Sequence, residues 1–298
     1  MRIRIGSRGS ALALWQAEHV AARLQALGHE IEIRVITTTG DRVLDRRLEA
    51  VGGKGAFLKE IEEALLARDV DLAVHSLKDV PTALPEGLRL CAYLERADPR
   101  DALISAAGVP LAALPAGARV GTTSLRRQAQ LRARRPDLTI LDLRGNVDTR
   151  LRKLREGAFE AILLAVAGLT RLGRQAEISE ALDPETLLPA PGQGAIALEC
   201  RVHDIEVGEA VAPLHHPATE AAVVAERAFL AALGGGCNVP LGAYAVQDAG
   251  SLWLRALVAR VDGSALLRGE QRGTLPSELG RALAEELRAR GAADLMRG

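Results

Sequence analysis

The chain has 298 residues, 48% apolar and 26% charged, which is the composition of a globular protein rather than a disordered one. Lysine plus arginine equals aspartate plus glutamate, 38 against 38, and only 2% of the residues are aromatic. This balance argues against a nucleic-acid partner, because nucleic-acid-binding domains are usually basic. The length favours about two or three domains.

The cysteine content and the apolar runs indicate where the protein works. Cys91, Cys200 and Cys237 are far apart and odd in number, which argues against a disulfide framework or a zinc site and fits a reducing compartment. The longest apolar run, at about 161–169, is too short to span a bilayer. Residues 1–5 alternate like a strand and do not resemble an export signal. We therefore expect a cytoplasmic protein with no metal and no membrane contact.

The first 80 residues predict β-α-β-α-β order, which is typical of a parallel α/β sheet. Alternation of apolar and polar residues predicts strands at 2–5, 30–36 and 70–75. Periodicity and end signals predict helices at 10–27 and 56–67. Residues 37–55 have no clear period and are interpreted as a long loop.

A second α/β series follows a charged linker at 95–100. It has strands near 119–121, 139–143 and 161–166 and helices that begin near Ser124 and Asn146. A break at 183–192 precedes another strand at 195–200, and 213–217 is a third break. A helix at 218–233 comes next, then a hairpin of 252–261 with 264–272 around Asp262-Gly263, and a last helix from Ser277.

A basic cluster lies between residues 119 and 155, where eleven lysines and arginines are opposed by only three aspartates. Arg126, Arg127 and Arg144 lie where a predicted strand ends and a helix begins. Helix N-termini and the carboxyl ends of strands are the usual anion sites of α/β sheets, and arginine binds carboxylates with a planar fork. A solvated helix surface is the alternative, especially for residues further along these helices: Arg132, Arg134, Arg135, Arg152 and Arg155.

Three other segments are candidates for a chemical role. Asp79 follows an apolar strand, where its carboxylate could stabilise a cation or transfer a proton, although a turn-capping role is equally open. Residues 51–55 (VGGKG) lack the spacing of a phosphate-binding loop. Cys237 follows three glycines in a turn and is a reachable thiol, but no pattern that activates a thiolate surrounds it.

Nine short segments, taken in order, match one known family. They are residues 7–17 (SRGSALALWQA), 51–57 (VGGKGAF), 73–81 (AVHSLKDVP), 121–128 (GTTSLRRQ), 143–147 (LRGNV), 164–169 (LAVAGL), 191–195 (PGQGA), 225–229 (AERAF) and 235–237 (GGC). On these segments the chain resembles the porphobilinogen deaminase (hydroxymethylbilane synthase) family over nearly its whole length.

The resemblance implies a fold of three domains. Domain 1 would comprise 1–96 and 193–213, domain 2 would comprise 97–192, and domain 3 would comprise 214–298. Domains 1 and 2 would be α/β domains similar to the lobes of type II periplasmic binding proteins. Domain 3 would be a smaller α+β domain that carries the cofactor-attachment cysteine.

The resemblance also implies an activity. The family joins four porphobilinogen molecules head to tail, releasing ammonia, on a covalently bound dipyrromethane primer, and gives the linear tetrapyrrole hydroxymethylbilane. Every pyrrole ring carries an acetate and a propionate, which would explain why arginines gather in a neutral protein. The family expectation is a cytoplasmic monomer of porphyrin and heme biosynthesis that passes its product to a downstream cyclising synthase.

Site residues follow from the resemblance by position. Cys237 would hold the dipyrromethane through a thioether, and Asp79 would be the catalytic carboxylate. The other cofactor-binding positions are Ser76, Lys78, Thr122, Ser124, Arg126, Arg127, Arg144 and Arg150. The substrate-binding positions are Arg8, Ser10, Lys54, Phe57, Lys59, Arg171 and Gln193.

Two rival functions remain at this stage. A two-lobed small-anion binding protein could share the fold, but it would carry an export signal and have no use for Cys237 or Asp79. A nucleic-acid binder could use the basic cluster, but the zero net charge and scarce aromatics count against it.

Overall fold

A computed structural model describes residues 1–39, 58–234 and 239–297. The chain divides into two compact units. Unit 1 comprises Met1–Ala97 and Ala195–Glu220, and unit 2 comprises Asp98–Gly194 and Ala221–Gly298. The first crossing between the units falls inside the charged segment 95–100.

Strands and helices alternate along most of the chain. The strands of the described residues are β1 (Arg2–Ser7), β2 (Glu30–Val35), β3 (Leu72–Ser76), β4 (Leu88–Tyr93), β5 (Asp101–Ser105), β6 (Arg119–Gly121), β7 (Thr139–Leu141), β8 (Ala161–Ala165), β9 (Glu180–Leu182), β10 (Ile196–Arg201), β11 (Leu241–Asp248), β12 (Ser251–Ala259) and β13 (Leu266–Gly273). The helices are α1 (Ala11–Ala26), α2 (Lys59–Leu66), α3 (Leu125–Arg134), α4 (Val147–Arg155), α5 (Val166–Arg171), α6 (Ile205–Val211), α7 (Pro217–Ala232), α8 (Pro276–Ala289) and α9 (Ala292–Arg297). None of the described helices is long and apolar enough to cross a membrane.

Unit 1 is built on a five-stranded sheet with the order β2-β1-β3-β10-β4. Strand β1 runs parallel to β2 and β3, whereas β10 runs antiparallel to β3 and β4. Successive side chains of a strand point to opposite faces, so both faces need cover. One core contains Ile3 and Ile5 of β1 with Leu24 of α1, and another contains Ala73 of β3 with Ile61 of α2.

Unit 2 contains a second five-stranded sheet, with the order β7-β6-β8-β5-β9. Strand β6 runs parallel to β7 and β8, and β5 runs antiparallel to β8 and β9. The two sheets therefore share one strand order. In each sheet, the strand that comes directly after the chain passes from one unit to the other runs antiparallel to the strand in the third position. This strand is β10, beside β3, in unit 1 and β5, beside β8, in unit 2.

The C-terminal part of unit 2 is a three-stranded antiparallel sheet, β11-β12-β13. Phe229 of α7, Leu254 of β12 and Leu283 of α8 are fully buried in its core. Strand β12 ends at Ala259 and β13 begins at Leu266, so the predicted hairpin is present with a longer connection than the Asp262-Gly263 turn. The predicted fold class, two α/β domains plus a smaller C-terminal α+β domain, is confirmed.

The structure also corrects the element predictions. The sequence analysis predicted no strands at Leu88–Tyr93, Asp101–Ser105 or Leu241–Asp248, and it placed a charged linker at 95–100, directly before β5. Parallel order holds for β1, β2 and β3 but not for the whole sheet, because β10 returns from unit 2 and pairs antiparallel. The predicted loop at 37–55 lies mostly outside the described residues.

Candidate functional site

The position of Asp79 is set by the end of strand β3, three residues earlier in the chain. The chain leaves β3 at Ser76 and enters a single helical turn, Leu77–Asp79. Leu77 is only 1% exposed and fixes this turn against the core of unit 1. Ser76 is held from α1, because Gln16 Nε2 donates to Ser76 Oγ at 2.8 Å. Lys78 and Asp79 lie partly buried immediately after this anchored position.

A cavity of about 80 Å³ contains Asp79. It is also lined by Arg8, Ser10, Gln16, His75 and Ser76, together with apolar side chains of α1 and α2. Arg8 and Ser10 reach it because they follow β1, which pairs directly with β3. Ser10 is the N-cap of α1, and its side chain accepts a hydrogen bond from the Ala13 N–H. The structure thus brings together four predicted residues of unit 1: Arg8, Ser10, Ser76 and Asp79.

In unit 2, the predicted residues lie where β6 passes into α3. Thr122 is buried, and its Oγ1 accepts the Ser124 N–H at 3.2 Å. Ser124 is the N-cap of α3, and its Oγ accepts the Arg127 N–H at 3.4 Å. Serine at this position satisfies a backbone donor that the helix itself leaves unpaired. The expected helix start is confirmed.

Arg126 and Arg127 are buried and share one carboxylate, Asp101. Arg126 Nη1 lies 2.7 Å from Asp101 Oδ2, and Arg127 Nη2 lies 2.6 Å from Asp101 Oδ1. Gln193 joins this group, because its Nε2 donates to Asp101 Oδ1 at 2.9 Å and to the Pro99 carbonyl at 2.7 Å. Asp101 is fully buried, and Arg126 and Arg127 are 4% and 5% exposed.

This cluster has more positive than negative charge. Burial alone would raise the pKa of Asp101, but the charges and hydrogen bonds of Arg126 and Arg127 outweigh it and hold that pKa well below its usual range. One carboxylate balances only one of the two guanidiniums. Arg126 Nε is buried with no hydrogen-bond partner among the described residues. A group of this kind suits an additional carboxylate from a ligand.

The start of α4 forms a second helix N-terminus in unit 2. Asn146 is its N-cap, and Asn146 Oδ1 accepts the Thr149 N–H at 2.9 Å. Gly145 has a φ of +111°, in the range that favours glycine, and this turns the chain between Arg144 and the helix. Arg150 Nε donates to the Gly145 carbonyl at 2.7 Å. The turn at Gly145 therefore connects Arg144, which precedes it, with Arg150 of α4, which donates to its carbonyl.

The remaining predicted residues lie elsewhere or outside the described part of the chain. Arg171 Nη2 donates to the Gly194 carbonyl at 2.7 Å, and burial lowers its pKa to about 10. Lys59 is exposed at the start of α2, with its Nζ 3.8 Å from Glu63. Lys54, Phe57 and Cys237 lie outside the described residues. Among residues 1–39, 58–234 and 239–297, no group of three His, Cys, Asp or Glu side chains could hold a metal ion.

Sequence reasoning missed two buried acids at these sites. Asp101 directly follows the charged linker predicted at 95–100 and was assigned no role, and Glu199 lies within the strand predicted at 195–200 and was assigned none either. Both are fully buried. A single acidic residue inside an otherwise apolar strand, as in IALEC, is the signal that could have found Glu199, because buried acids nearly always have a partner.

Unbalanced positive charge and helix N-termini at the carboxyl ends of strands suit the carboxylates of a small ligand. The fold and the site thus define an α/β protein that binds an anionic compound. Comparison with known proteins identifies the family. Residues 3–209 match the dipyrromethane cofactor binding domain of porphobilinogen deaminase, and residues 221–289 match its C-terminal domain. The chain belongs to the porphobilinogen deaminase family.

Curated relatives agree with this assignment. The chain is 54% identical to the porphobilinogen deaminase of Syntrophobacter fumaroxidans, over 97% of this chain and 95% of the relative. It is also 54% identical to that of Roseiflexus castenholzii, over 99% of both chains. Among solved structures, the methionine binding protein MetQ is 14% identical, with a TM-score of 0.43 over 70% of this chain and 86% of its own.

The family gives the activity that the resemblance implied. The chain is an enzyme, a transferase of tetrapyrrole and porphyrin biosynthesis with a dipyrromethane cofactor. It condenses four porphobilinogen molecules head to tail with release of ammonia, and the product is hydroxymethylbilane.

Proposed function

We propose that Asp79 is the catalytic carboxylate of this reaction and that cationic and hydroxyl side chains of both units bind the carboxylates of the pyrroles. In unit 1 these are Arg8, Ser10, Ser76 and Lys78. In unit 2 they are Thr122, Ser124, Arg126, Arg127, Arg144 and Arg150. We also propose that the substrate-binding positions include Lys54, Phe57, Lys59, Arg171 and Gln193. Cys237 is the residue to which the dipyrromethane is attached.

One observation carries the assignment of Asp79. Asp79 follows the carboxyl end of β3 and lines a cavity together with Arg8 and Ser10. Ligands of α/β sheets bind at this edge. A cation and a carboxylate in one small cavity can bind an acidic pyrrole and, at the same time, face its ring nitrogen.

The proposed chemistry of Asp79 follows from the charge that develops during the reaction. When the protonated amino group leaves as ammonia, the methylene carbon stays on the substrate pyrrole, which becomes cationic, and a fixed carboxylate stabilises this charge. The new carbon–carbon bond leaves a proton on the attacked ring. Asp79 accepts that proton, which then leaves with the ammonia as ammonium, so charge and atoms balance.

The described residues fit the dipyrromethane cofactor. The cofactor supplies a covalent primer, and its rings carry several carboxylates. The excess guanidinium charge at Arg126 and Arg127 and the N-termini of α3 and α4 offer donors of the right chemistry for those carboxylates. Because Arg126 and Arg127 already form ion pairs with Asp101, their guanidiniums are held in position before a carboxylate of the cofactor binds.

We also propose the domain boundaries, the oligomeric state and the cellular compartment of the protein. We infer three domains, 1–96 with 193–213, 97–192 and 214–298, and a monomer whose product passes to a downstream cyclising synthase. We also infer a cytoplasmic enzyme. Support for the reducing compartment comes from Cys91 and Cys200, which are free thiols.

Replacing Asp79 with asparagine tests the proposal. This change keeps the shape of the side chain and removes its charge, so turnover should fall at least about 100-fold while the urea midpoint stays unchanged. Intact mass of the same sample reports whether the primer has assembled. The matched control is Asp69→Asn, an exposed carboxylate that precedes β3, and it should keep the wild-type rate. Near-normal turnover in Asp79→Asn would remove Asp79 from the mechanism.

A further inference from the structure

Gln130 of α3 is a buried amide that the proposed chemistry does not use. The residue is 2% exposed, and its Nε2 donates to the Leu188 carbonyl at 3.2 Å and to the Arg126 carbonyl at 3.3 Å. Its Oε1 accepts the Leu188 N–H at 2.8 Å. Gln130 therefore holds both backbone groups of one residue that lies 58 residues further along the chain.

Leu188 needs this support because no strand or helix holds it. It is 2% exposed and lies in the irregular segment between β9 and β10, where Pro184, Pro189 and Pro191 have no backbone N–H to donate. Buried backbone groups are nearly always hydrogen-bonded. The Gln130 side chain thus supplies the donor and the acceptor that a neighbouring strand would supply elsewhere.

The carbonyl that Gln130 fixes is also an acceptor for Arg126. Arg126 Nη1 donates to the Leu188 carbonyl at 2.6 Å and to Asp101 Oδ2 at 2.7 Å. Both N–H groups of this nitrogen are thus used. Because a guanidinium is planar and rigid, two fixed acceptors on one nitrogen set the orientation of the whole group.

The neighbouring guanidiniums of Arg126 and Arg127 differ in their hydrogen bonds. Arg126 Nε is buried without a hydrogen-bond partner among the described residues, in a side chain that is 4% exposed. In Arg127, Nε and Nη2 both donate to Asp101 Oδ1, at 3.0 and 2.6 Å, and Nη1 donates to the Leu163 carbonyl at 2.9 Å. A buried donor without a partner is costly, and an acceptor from a ligand removes that cost.

We propose that Gln130 is a positioning residue: by holding Leu188, it fixes the Arg126 guanidinium with its Nε N–H available to a carboxylate of a pyrrole ring. This inference rests on the proposed binding of pyrrole carboxylates by Arg126. Without Gln130, the Leu188 carbonyl is released and Arg126 Nη1 keeps only Asp101. The guanidinium then turns to the side-on contact that Arg127 makes with Asp101, and Nε is lost to the ligand.

A double-mutant cycle on kcat/KM of the holoenzyme tests the proposal, with rates expressed per primer-loaded molecule as counted by intact mass. Gln130→Met keeps a similar length without the hydrogen bonds, so kcat/KM should fall about tenfold, the effect of one lost hydrogen bond to a charged group. Arg126→Lys keeps a positive charge for Asp101 but has no Nε, and its kcat/KM should fall at least about tenfold. In the double variant the two losses should not multiply, because Gln130 acts through Arg126.

Gly242→Ala perturbs the same carbonyl without changing Gln130 or Arg126. An added Cβ at Gly242 of β11 would lie 3.0 Å from the Leu188 oxygen and 3.1 Å from the Pro189 oxygen, so these must shift by a few tenths of an ångström. The value of kcat/KM should fall about threefold, and this loss should be absent from an Arg126→Lys background. This variant tests the positioning role even if Gln130→Met does not fold.

The ¹H–¹⁵N resonance of Arg126 Nε in the holoenzyme reports the position of the guanidinium without using activity. This signal, assigned by its loss in Arg126→Lys, should move in Gln130→Met and in Gly242→Ala. The control is Leu287→Ala, which removes a fully buried side chain of α8 that packs against Gly269 of β13. It should lower the urea midpoint while kcat/KM and the Arg126 signal stay as in the wild type.

The outcomes separate the two proposals. A wild-type kcat/KM and a wild-type loaded fraction in Arg126→Lys would refute the role of Arg126 itself. When Arg126→Lys is impaired, a wild-type kcat/KM in Gln130→Met, losses that multiply in the double variant, or an Arg126 signal that does not move would each overturn the positioning role alone. The signal decides this even if Arg126→Lys carries too little primer for its rate to be measured.

Discussion

Replacing Asp101 with asparagine removes the carboxylate that Arg126 and Arg127 share. The carboxylate accepts hydrogen bonds from Arg126 Nη1 at 2.7 Å, from Arg127 Nη2 and Nε at 2.6 and 3.0 Å, and from Gln193 Nε2 at 2.9 Å. Asparagine can accept some of these bonds but carries no charge. Two buried guanidiniums are then left without a counter-ion.

The expected cost is large. Breaking a buried ion pair by removing one partner destabilises a protein by about 3–5 kcal/mol, because the remaining charge stays buried. The control is Asp98→Asn, since Asp98 pairs with Arg100 and its side chain is 31% exposed. A partly exposed pair of this kind contributes about 0–1 kcal/mol. The two variants therefore separate the effect of burial from the effect of losing a carboxylate.

Urea unfolding of the holoenzyme at several pH values measures both effects. The pKa of Asp101 is depressed in the folded state, so its contribution is complete above the unfolded value of about 4 and is lost as the pH falls below it. The gap between wild type and Asp101→Asn should accordingly be constant at neutral pH and shrink below about pH 4. A loss of under about 1 kcal/mol at pH 7, equal to that of Asp98→Asn, would refute the reasoning.

Two further predictions concern unit 2. Glu226 is fully buried and accepts the Gly192 and Ala245 N–H groups at 2.7 and 2.8 Å, so Glu226→Gln should cost about 1–3 kcal/mol in urea unfolding, whereas the exposed Glu285→Gln should cost almost nothing. Equal midpoints for these two variants would contradict the account. An added Cβ at Gly145 would lie 2.6 Å from Thr149 at a φ of +111°, so Gly145→Ala should destabilise by about 1–3 kcal/mol. Gly157→Ala has a positive φ but open space around it, and an equal loss there would show that the contact with Thr149 is unimportant.

The local parts of the fold could be predicted from the sequence. Serine or asparagine before an amphipathic run correctly located the starts of α1, α3 and α4, with Ser10, Ser124 and Asn146 as the N-caps. These signals are readable because a cap and its helix are adjacent in the chain. The predicted site residues Arg8, Ser10, Ser76 and Asp79 also share one cavity, since β1 and β3 are neighbours in the sheet.

Long-range placement could not be predicted in the same way. Strands β5 and β10 take antiparallel places because the chain crosses between the units, and no local pattern reports a strand's partner. The partner of Arg126 and Arg127 lies about 25 residues upstream, and Glu199 lies 124 residues from His75. Buried charge pairs of this kind depend on which strands meet, and sequence periodicity does not contain that information.

The covalent cofactor on Cys237 is the central claim, and intact-mass measurement tests it most directly. Purified wild-type protein should be heavier than its sequence by one dipyrromethane unit. Cys237→Ser should have the unmodified mass and no turnover, whereas Cys91→Ser should keep the added mass because Cys91 is a partly buried side chain packed against the core of unit 1. Active wild-type protein with an unmodified mass, or a Cys237→Ser variant that still carries the added mass, would contradict the account.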